Sequence, residues 1–280
     1  MRLQIGDERI FFDVAGPGLV PDGPAMRERP TLLLLHGGPG FDHSSFRPAF
    51  DAFADVAQVV YLDQRGQGRS DRGDPARWNL ARFADDVRAF CEALEIERPV
   101  VLGQSFGGFV AMLYAARHPE HPGKLVLSST AARWVPERSV RVFERLGGAA
   151  AGAAARRFWE APGPDTVADY TRSCLPLYSR TPQDPDALAR TRFNLELMFG
   201  WEKAEGATLD LRDELARVRC PTLVLAGDDD PVTPLESAEE IVAHLPAELV
   251  RFERFADAGH GVHRDQPEAC FRVLREFLAG

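Results

Sequence analysis

The sequence has few cysteines, and they form no motif. Cys91, Cys174, Cys220 and Cys270 are the only four in 280 residues, and no two stand in C-x-x-C spacing. Disulfide frameworks belong to short secreted chains, so free thiols in a reducing compartment are expected here. Long apolar runs are also lacking: stretches such as Thr31–Leu35 fall far short of the ~20 residues a membrane span requires. The opening MRLQIGDERIFFDVAG has no basic segment followed by an unbroken apolar run, so no signal peptide is read and a cytoplasmic location is expected. Lys and Arg form no cluster and the formal net charge is −9, which argues against nucleic-acid and anionic-membrane partners. No His/Glu helix pair or Cys/His cluster offers metal-ligand spacing, so neither metal nor cofactor is expected. No internal repeat is present, and the biased stretch Ala149–Ala155 is too short to be a low-complexity segment.

What remains is an ordinary globular composition, 45% hydrophobic and 27% charged, which excludes disordered and fibrous classes. The length suits one large core, or a core with a small inserted domain. Leu3 and Ile5, then Ile10, Phe12 and Val14, alternate across Gly6-Asp7-Glu8 as a β-hairpin would. Ala15 to Arg29, rich in Pro and Gly, reads as a loop. The short apolar runs Thr31–Leu35, Val56–Leu62, Pro99–Leu102, Leu125–Leu127, Thr222–Ala226 and Leu249–Phe252 read as buried strands. Between them lie helical patterns: one capped by Asn79, one over Phe106–Arg117, one near Leu235–Leu245 and one near Gln266–Leu278. This alternation predicts an α/β fold with a mostly parallel sheet and helices on both faces. From 131 to 219 the rhythm breaks into Ala/Arg-rich helical stretches and Pro-containing loops such as Ala161–Pro164. The expected organisation is a core of residues 1–130 and 220–280 with a helical cap at 131–219.

The most specific motif is Gly103-Gln104-Ser105-Phe106-Gly107-Gly108, G-x-S-x-G between a strand and a helix. A chain reversing that sharply forces Ser105 into a strained conformation, and Gly at 103 and 107 avoids collisions on either side. The turn lifts the hydroxyl above the sheet and sets a helix N-terminus beside it. A hydroxyl is a weak nucleophile and needs a base. Of seven histidines, His260 follows the last strand among small residues, and His263 is its competitor; His118, His121 and His244 read as helix-end or surface residues. The base needs a carboxylate to fix its tautomer. Asp228, Asp229 and Asp230 all follow a strand, and the register set by Gly227 favours Asp230. His36-Gly37-Gly38-Pro39-Gly40 follows another strand and would aim backbone N–H groups above Ser105. The N–H groups of Gly38 and Phe106 are the candidate oxyanion hole, and His36 reads as structural.

HGGPG at 36–40, DQRGQGRS at 63–70 and GQSFGG at 103–108, with the order Ser105, Asp230, His260, resemble the proline iminopeptidase branch of the α/β-hydrolase superfamily. The similarity spans about residues 30–130 and 220–280. It implies a metal-free serine hydrolase with an inserted helical cap, working through an acyl-enzyme. It also implies release of N-terminal proline or small residues from short peptides, so the expected partner is a small-molecule or short-peptide substrate. The chain departs from the family in two places. Gln104-Ser105-Phe106 stands where such peptidases have Gly-Ser-Trp, and Asp230 is followed by Pro231 where an acid often grips the substrate's amine. Gln104 and Glu196 are the candidate substrate contacts, with Glu202 and Glu205 as further acids of the cap. A carboxylesterase or lactonase would use the same triad, and a non-hydrolytic ligand-binding protein would keep the pocket without turnover. Asp63 and Arg65 are expected to pair with each other beneath the site, with substrate binding by Arg65 as the alternative.

Overall fold

The computed structural model of the chain describes every residue except Gln183, and of Glu202 the backbone only. Strands β1 (Arg2–Ile5) and β2 (Glu8–Ala15) form the expected hairpin, with Leu3 opposite Ile10. The stretch read as a loop from Ala15 to Arg29 instead holds a second hairpin. Its strands, β3 (Leu19–Asp22) and β4 (Ala25–Glu28), pair antiparallel around Gly23-Pro24. Both strands lie at the surface, so no buried face imposes the alternation by which a strand is recognised.

The remaining strands are β5 (Thr31–Leu35), β6 (Gln58–Leu62), β7 (Val100–Gln104), β8 (Lys124–Ser128), β9 (Thr222–Gly227) and β10 (Val250–Phe255). They join the first hairpin in one eight-stranded sheet of order β1-β2-β6-β5-β7-β8-β9-β10. From β6 to β10 every pairing is parallel; β1 and β2 are the antiparallel edge. The continuous apolar runs are explained by burial on both faces. Leu33, Leu35, Val101, Leu125 and Leu127 pack on one side, whereas Leu32, Leu34, Val100, Leu102 and Val126 pack on the other. Each such leucine contributes about 1.5–3 kcal/mol of burial free energy.

Helices α1 (Leu80–Ala93) and α2 (Phe106–Arg117) cover the first face, and α10 (Pro267–Ala279) the second. The Asn79 side chain caps α1 by accepting from Arg82 N, and Leu80, Phe83, Val87 and Phe90 supply its buried stripe. Between β8 and β9 the chain runs through α3 (Pro136–Glu160), α4 (Pro164–Ser173), α5 (Ala187–Arg190), α6 (Leu195–Ala204) and α7 (Arg212–Leu215). Gly148, at φ 76°, breaks α3 into two arms. The Ala/Gly composition lets those arms approach closely: a Cβ on Gly152 would stand 2.8 Å from Glu144 Cβ. The two ends of this insertion meet where Leu211 N donates to Ala132 O at 2.8 Å. Helix α8 (Leu235–His244) and the short α9 (Val262–Asp265) complete the chain.

Asp63 and Arg65 do not pair with each other. Arg65 is fully buried, its guanidinium donating to Asp86 Oδ1 at 2.8 Å and meeting Glu8 Oε1 at 2.6 Å. Asp63, also buried, accepts from His43 N at 2.9 Å and Arg69 N at 2.7 Å. The turn after β6 thus gives Asp63 and Arg65 separate partners, and Arg65 is closed off from solvent. Removing one member of a buried ion pair strands the other in low dielectric. Arg65→Ala is expected to lower the unfolding free energy by about 3–5 kcal/mol in urea titrations.

Candidate active site

Ser105 stands where β7 ends and α2 begins, at φ 53° and ψ −120°. The left-handed region is costly for a residue with a Cβ, so the surroundings must hold it there. They do so with three hydrogen bonds. Ser105 N donates to Ser128 O at 3.1 Å, and Ser105 O accepts from Gly108 N and from Thr130 Oγ1, both at 2.8 Å. The glycines on either side are sterically required. A Cβ on Gly103 would lie 2.2 Å from Gly107 O, and one on Gly107 would lie 2.0 Å from Leu35 O.

His260 Nε2 is 3.0 Å from Ser105 Oγ. Its Nδ1 is 2.9 Å from Asp230 Oδ2 and 3.1 Å from Oδ1. With Nδ1–H donating to the carboxylate, Nε2 is left as an acceptor for the serine proton. Asp230 is itself held: Oδ1 accepts from Val232 N at 2.8 Å and Thr233 N at 2.9 Å, and Oδ2 from Thr233 Oγ1 at 2.9 Å. Of the three neighbouring aspartates it alone reaches the histidine, for Asp228 pairs with Arg254 and Asp229 with Arg145. Asp230 and His260 are buried while Ser105 is half-buried, so the carboxylate and imidazole are shielded and the hydroxyl is open to a ligand.

The other histidines are placed elsewhere. His263 is buried against Phe46 and Phe50, and burial pushes its pKa down to about 3. His36 is tied to backbone, its Nδ1 to Gly37 O at 2.8 Å while Nε2 accepts from Gln64 N at 3.2 Å. Burial also lowers its pKa, which agrees with a neutral ring accepting at Nε2. The turn that His36 braces lies directly on the serine: a Cβ on Gly37 would be 3.2 Å from Ser105 Cβ. Phe106 is the first residue of α2, so its N–H has no acceptor within the helix. Its ring is buried against Phe83 and Trp201.

Gln104 is buried, with Oε1 packed against Gly37. Glu196 lies exposed in the first turn of α6, and the Glu202 side chain is outside the described residues. Glu205 Oε2 accepts from Leu80 N at 2.7 Å and Trp201 Nε1 at 2.9 Å, which seats α6 on the start of α1. Three residues that motif reading passes over also build the site. Thr130 and Thr233 brace Ser105 and Asp230, and Asn194 N donates to Gly40 O at 2.8 Å while its Nδ2 donates to Gly66 O at 2.7 Å. Asn194 carried one usable signal, as a helix N-cap before an apolar pattern.

Among the described residues no group of three or more His, Cys, Asp or Glu is placed to hold a metal, and no helix is long and apolar enough to cross a membrane. A family model for the alpha/beta hydrolase fold matches residues 30–267. The proline iminopeptidase of Lactiplantibacillus plantarum is 30% identical over 92% of this chain and 94% of its own length. The crystal structure of proline iminopeptidase from Mycobacterium smegmatis superposes with a TM-score of 0.76 at 28% identity, covering 100% of this chain and 97% of that one. An esterase of Exiguobacterium antarcticum reaches the same TM-score, 0.76, at 19% identity over 100% and 99% of the two chains, a likeness of fold alone.

Two outcomes test this geometry. Asp230→Asn, which removes the charge and permits the wrong imidazole tautomer, is expected to cut kcat by about 10⁴-fold. Thr233→Val, which removes one donor to the same carboxylate, should cost far less. His263, whose pKa falls on folding, binds a proton more readily when unfolded. It therefore supports the fold above about pH 6.5 and loses that contribution as pH falls towards about 3. His263→Phe should flatten the acid side of a stability-versus-pH curve in that window, whereas His260→Ala should abolish turnover.

Proposed function

The chain belongs to the α/β-hydrolase family, in its proline iminopeptidase-like branch, and from that premise we propose that it hydrolyses short peptide amides through an acyl-enzyme on Ser105. The observation that carries this reading is the unbroken hydrogen-bond chain Ser105 Oγ–His260–Asp230 beneath the Gly37-Gly38 turn. Ser105 Oγ attacks the carbonyl carbon as its proton passes to His260 Nε2. Asp230 holds the imidazole in register and offsets the charge of the imidazolium. The N–H groups of Gly38 and Phe106 receive the oxyanion, a contribution of about 3–4 kcal/mol per donor in comparable sites. His260 then protonates the leaving amine. A water molecule, deprotonated by the same base, attacks the acyl-enzyme and frees Ser105.

The leading substrate is a short peptide with an N-terminal proline or small residue, as the names of the relatives suggest. The cap, residues 131–219, would enclose it. Hydrolysis of a small-molecule ester by the same groups is the second reading, and the placement of acids favours it. Pro231 follows Asp230 and carries no carboxylate, and Glu205 Oε2 is already committed to Leu80 N and Trp201 Nε1.

Proline p-nitroanilide and p-nitrophenyl butyrate separate the two. Wild type cleaving the anilide with the higher kcat/KM, and Ser105→Ala cleaving neither, is the expected result. Cleavage of the ester alone through Ser105 would keep the triad and discard the exopeptidase reading. Undiminished turnover by Ser105→Ala would discard both.

A further inference from the structure

Asp265 ends the short helix α9, five residues beyond the base, and takes no part in the steps above. Its carboxylate is buried and accepts hydrogen bonds from two separate parts of the chain. Oδ2 accepts from Gly259 N, the residue before His260, at 2.7 Å. Oδ1 accepts from Arg180 N and Thr181 N, each at 3.0 Å, from Thr181 Oγ1 at 2.8 Å, and from Ser179 Oγ. The last three residues belong to the insertion between β8 and β9. Burial alone would raise the pKa of this carboxyl, but the donors from Ser179, Gly259, Arg180 and Thr181 hold it below the usual range, so it is charged.

The same two segments touch at the base itself. His260 N donates to Tyr178 O at 2.7 Å, and the Tyr178 ring stands edge-on to the imidazole with centroids 5.6 Å apart. The approach leaves no room for a side chain at 259, where a Cβ would meet Tyr178 O at 2.3 Å. The loop carrying His260 and the wall formed by Tyr178 are therefore docked backbone to backbone. Asp265 supplies the acceptors that neutral groups there lack.

We propose that Asp265 is a positioning residue for the reaction at Ser105: it locks the His260 loop to residues 178–181, so the base is aligned by the insertion as well as by Asp230. This rests on the acyl-enzyme reading above. Its consequence is that the insertion enters catalysis through the placement of Nε2, and not only through the shape of the pocket. An ångström of misplacement at a reacting group can cost about 10²-fold in rate.

The test compares wild type, Ser105→Ala, Asp265→Asn and the double variant Ser179→Ala/Thr181→Val in hydrolysis of p-nitrophenyl butyrate. It is run well below each unfolding midpoint and paired with amide hydrogen exchange. Asn presents an N–H₂ group to a ring of donors, so Asp265→Asn should lose tenfold or more in kcat with KM within threefold. Exchange should rise together at Gly259, His260, Arg180 and Thr181. The double variant keeps the carboxylate but removes two donors, and should show the same split at a smaller size. A lower unfolding midpoint with kcat unchanged in both variants would make Asp265 a purely structural anchor and overturn the proposal. Wild-type turnover no greater than that of Ser105→Ala on both p-nitrophenyl butyrate and proline p-nitroanilide would overturn the acyl-enzyme reading itself, and this inference with it.

Discussion

Everything at this site depends on one strained residue. Ser105 sits in left-handed backbone at the centre of a parallel sheet, a conformation it would not choose alone. The strain is tolerable because the surroundings over-determine it. Positions two residues to either side carry no Cβ, a helix begins immediately after, and Ser128 at the end of the next strand and Thr130 in the loop beyond it grip the serine's backbone. That geometry points the hydroxyl away from the sheet and leaves the first N–H of α2 without an intrahelical acceptor. The sheet order follows from the same need, for β7 lies between β5 and β8, whose own loops bring the Gly37 turn and Thr130 to the serine.

Around that point the chain is fastened in three directions. Beneath, Arg65 ties the β1–β2 turn to α1 through Glu8 and Asp86, while Asp63 holds His43 and Arg69. On one side, Asn194 pins the start of α6 to the HGGPG turn and to Gly66. On the other, Asp265 pins residues 179–181 to the loop of His260. The insertion therefore grips both the HGGPG turn and the loop of His260.

Much of this was legible because some residues have local reasons to be where they are. Strand β5 and helix α2 take the bounds their apolar patterns predict, and Asn79 starts α1 by accepting the hydrogen bond an N-cap should accept. Gly103 is dictated by a collision four residues along the chain, with Gly107 O, whereas Gly107 is dictated by the close approach of Leu35 O from the neighbouring strand. The Asp230 register could be read from Gly227, where a Cβ would strike Ala258 O at 2.3 Å. What escaped reading was non-local. Arg65 finds Glu8 and Asp86 only once the hairpin and α1 are packed, and nothing in DQRG announces either. The β3–β4 hairpin buries nothing and so leaves no pattern. Asp265 resembles any polar residue at a helix end until the insertion folds against it. Within the insertion the Ala/Arg-rich composition announces helices but not the break at Gly148 or the docking of α6.

The central claim is that Ser105 is a nucleophile because this particular turn and His260 make it one. Diisopropyl fluorophosphate tests that independently of the substrate, since it phosphorylates a serine activated by an adjacent base far faster than an ordinary hydroxyl, with loss of fluoride. Peptide mass spectrometry after labelling should find one stoichiometric phosphoryl adduct, on the peptide containing Ser105, and none in His260→Ala. An adduct on another residue, or equal labelling of Ser105 with and without His260, would contradict the account.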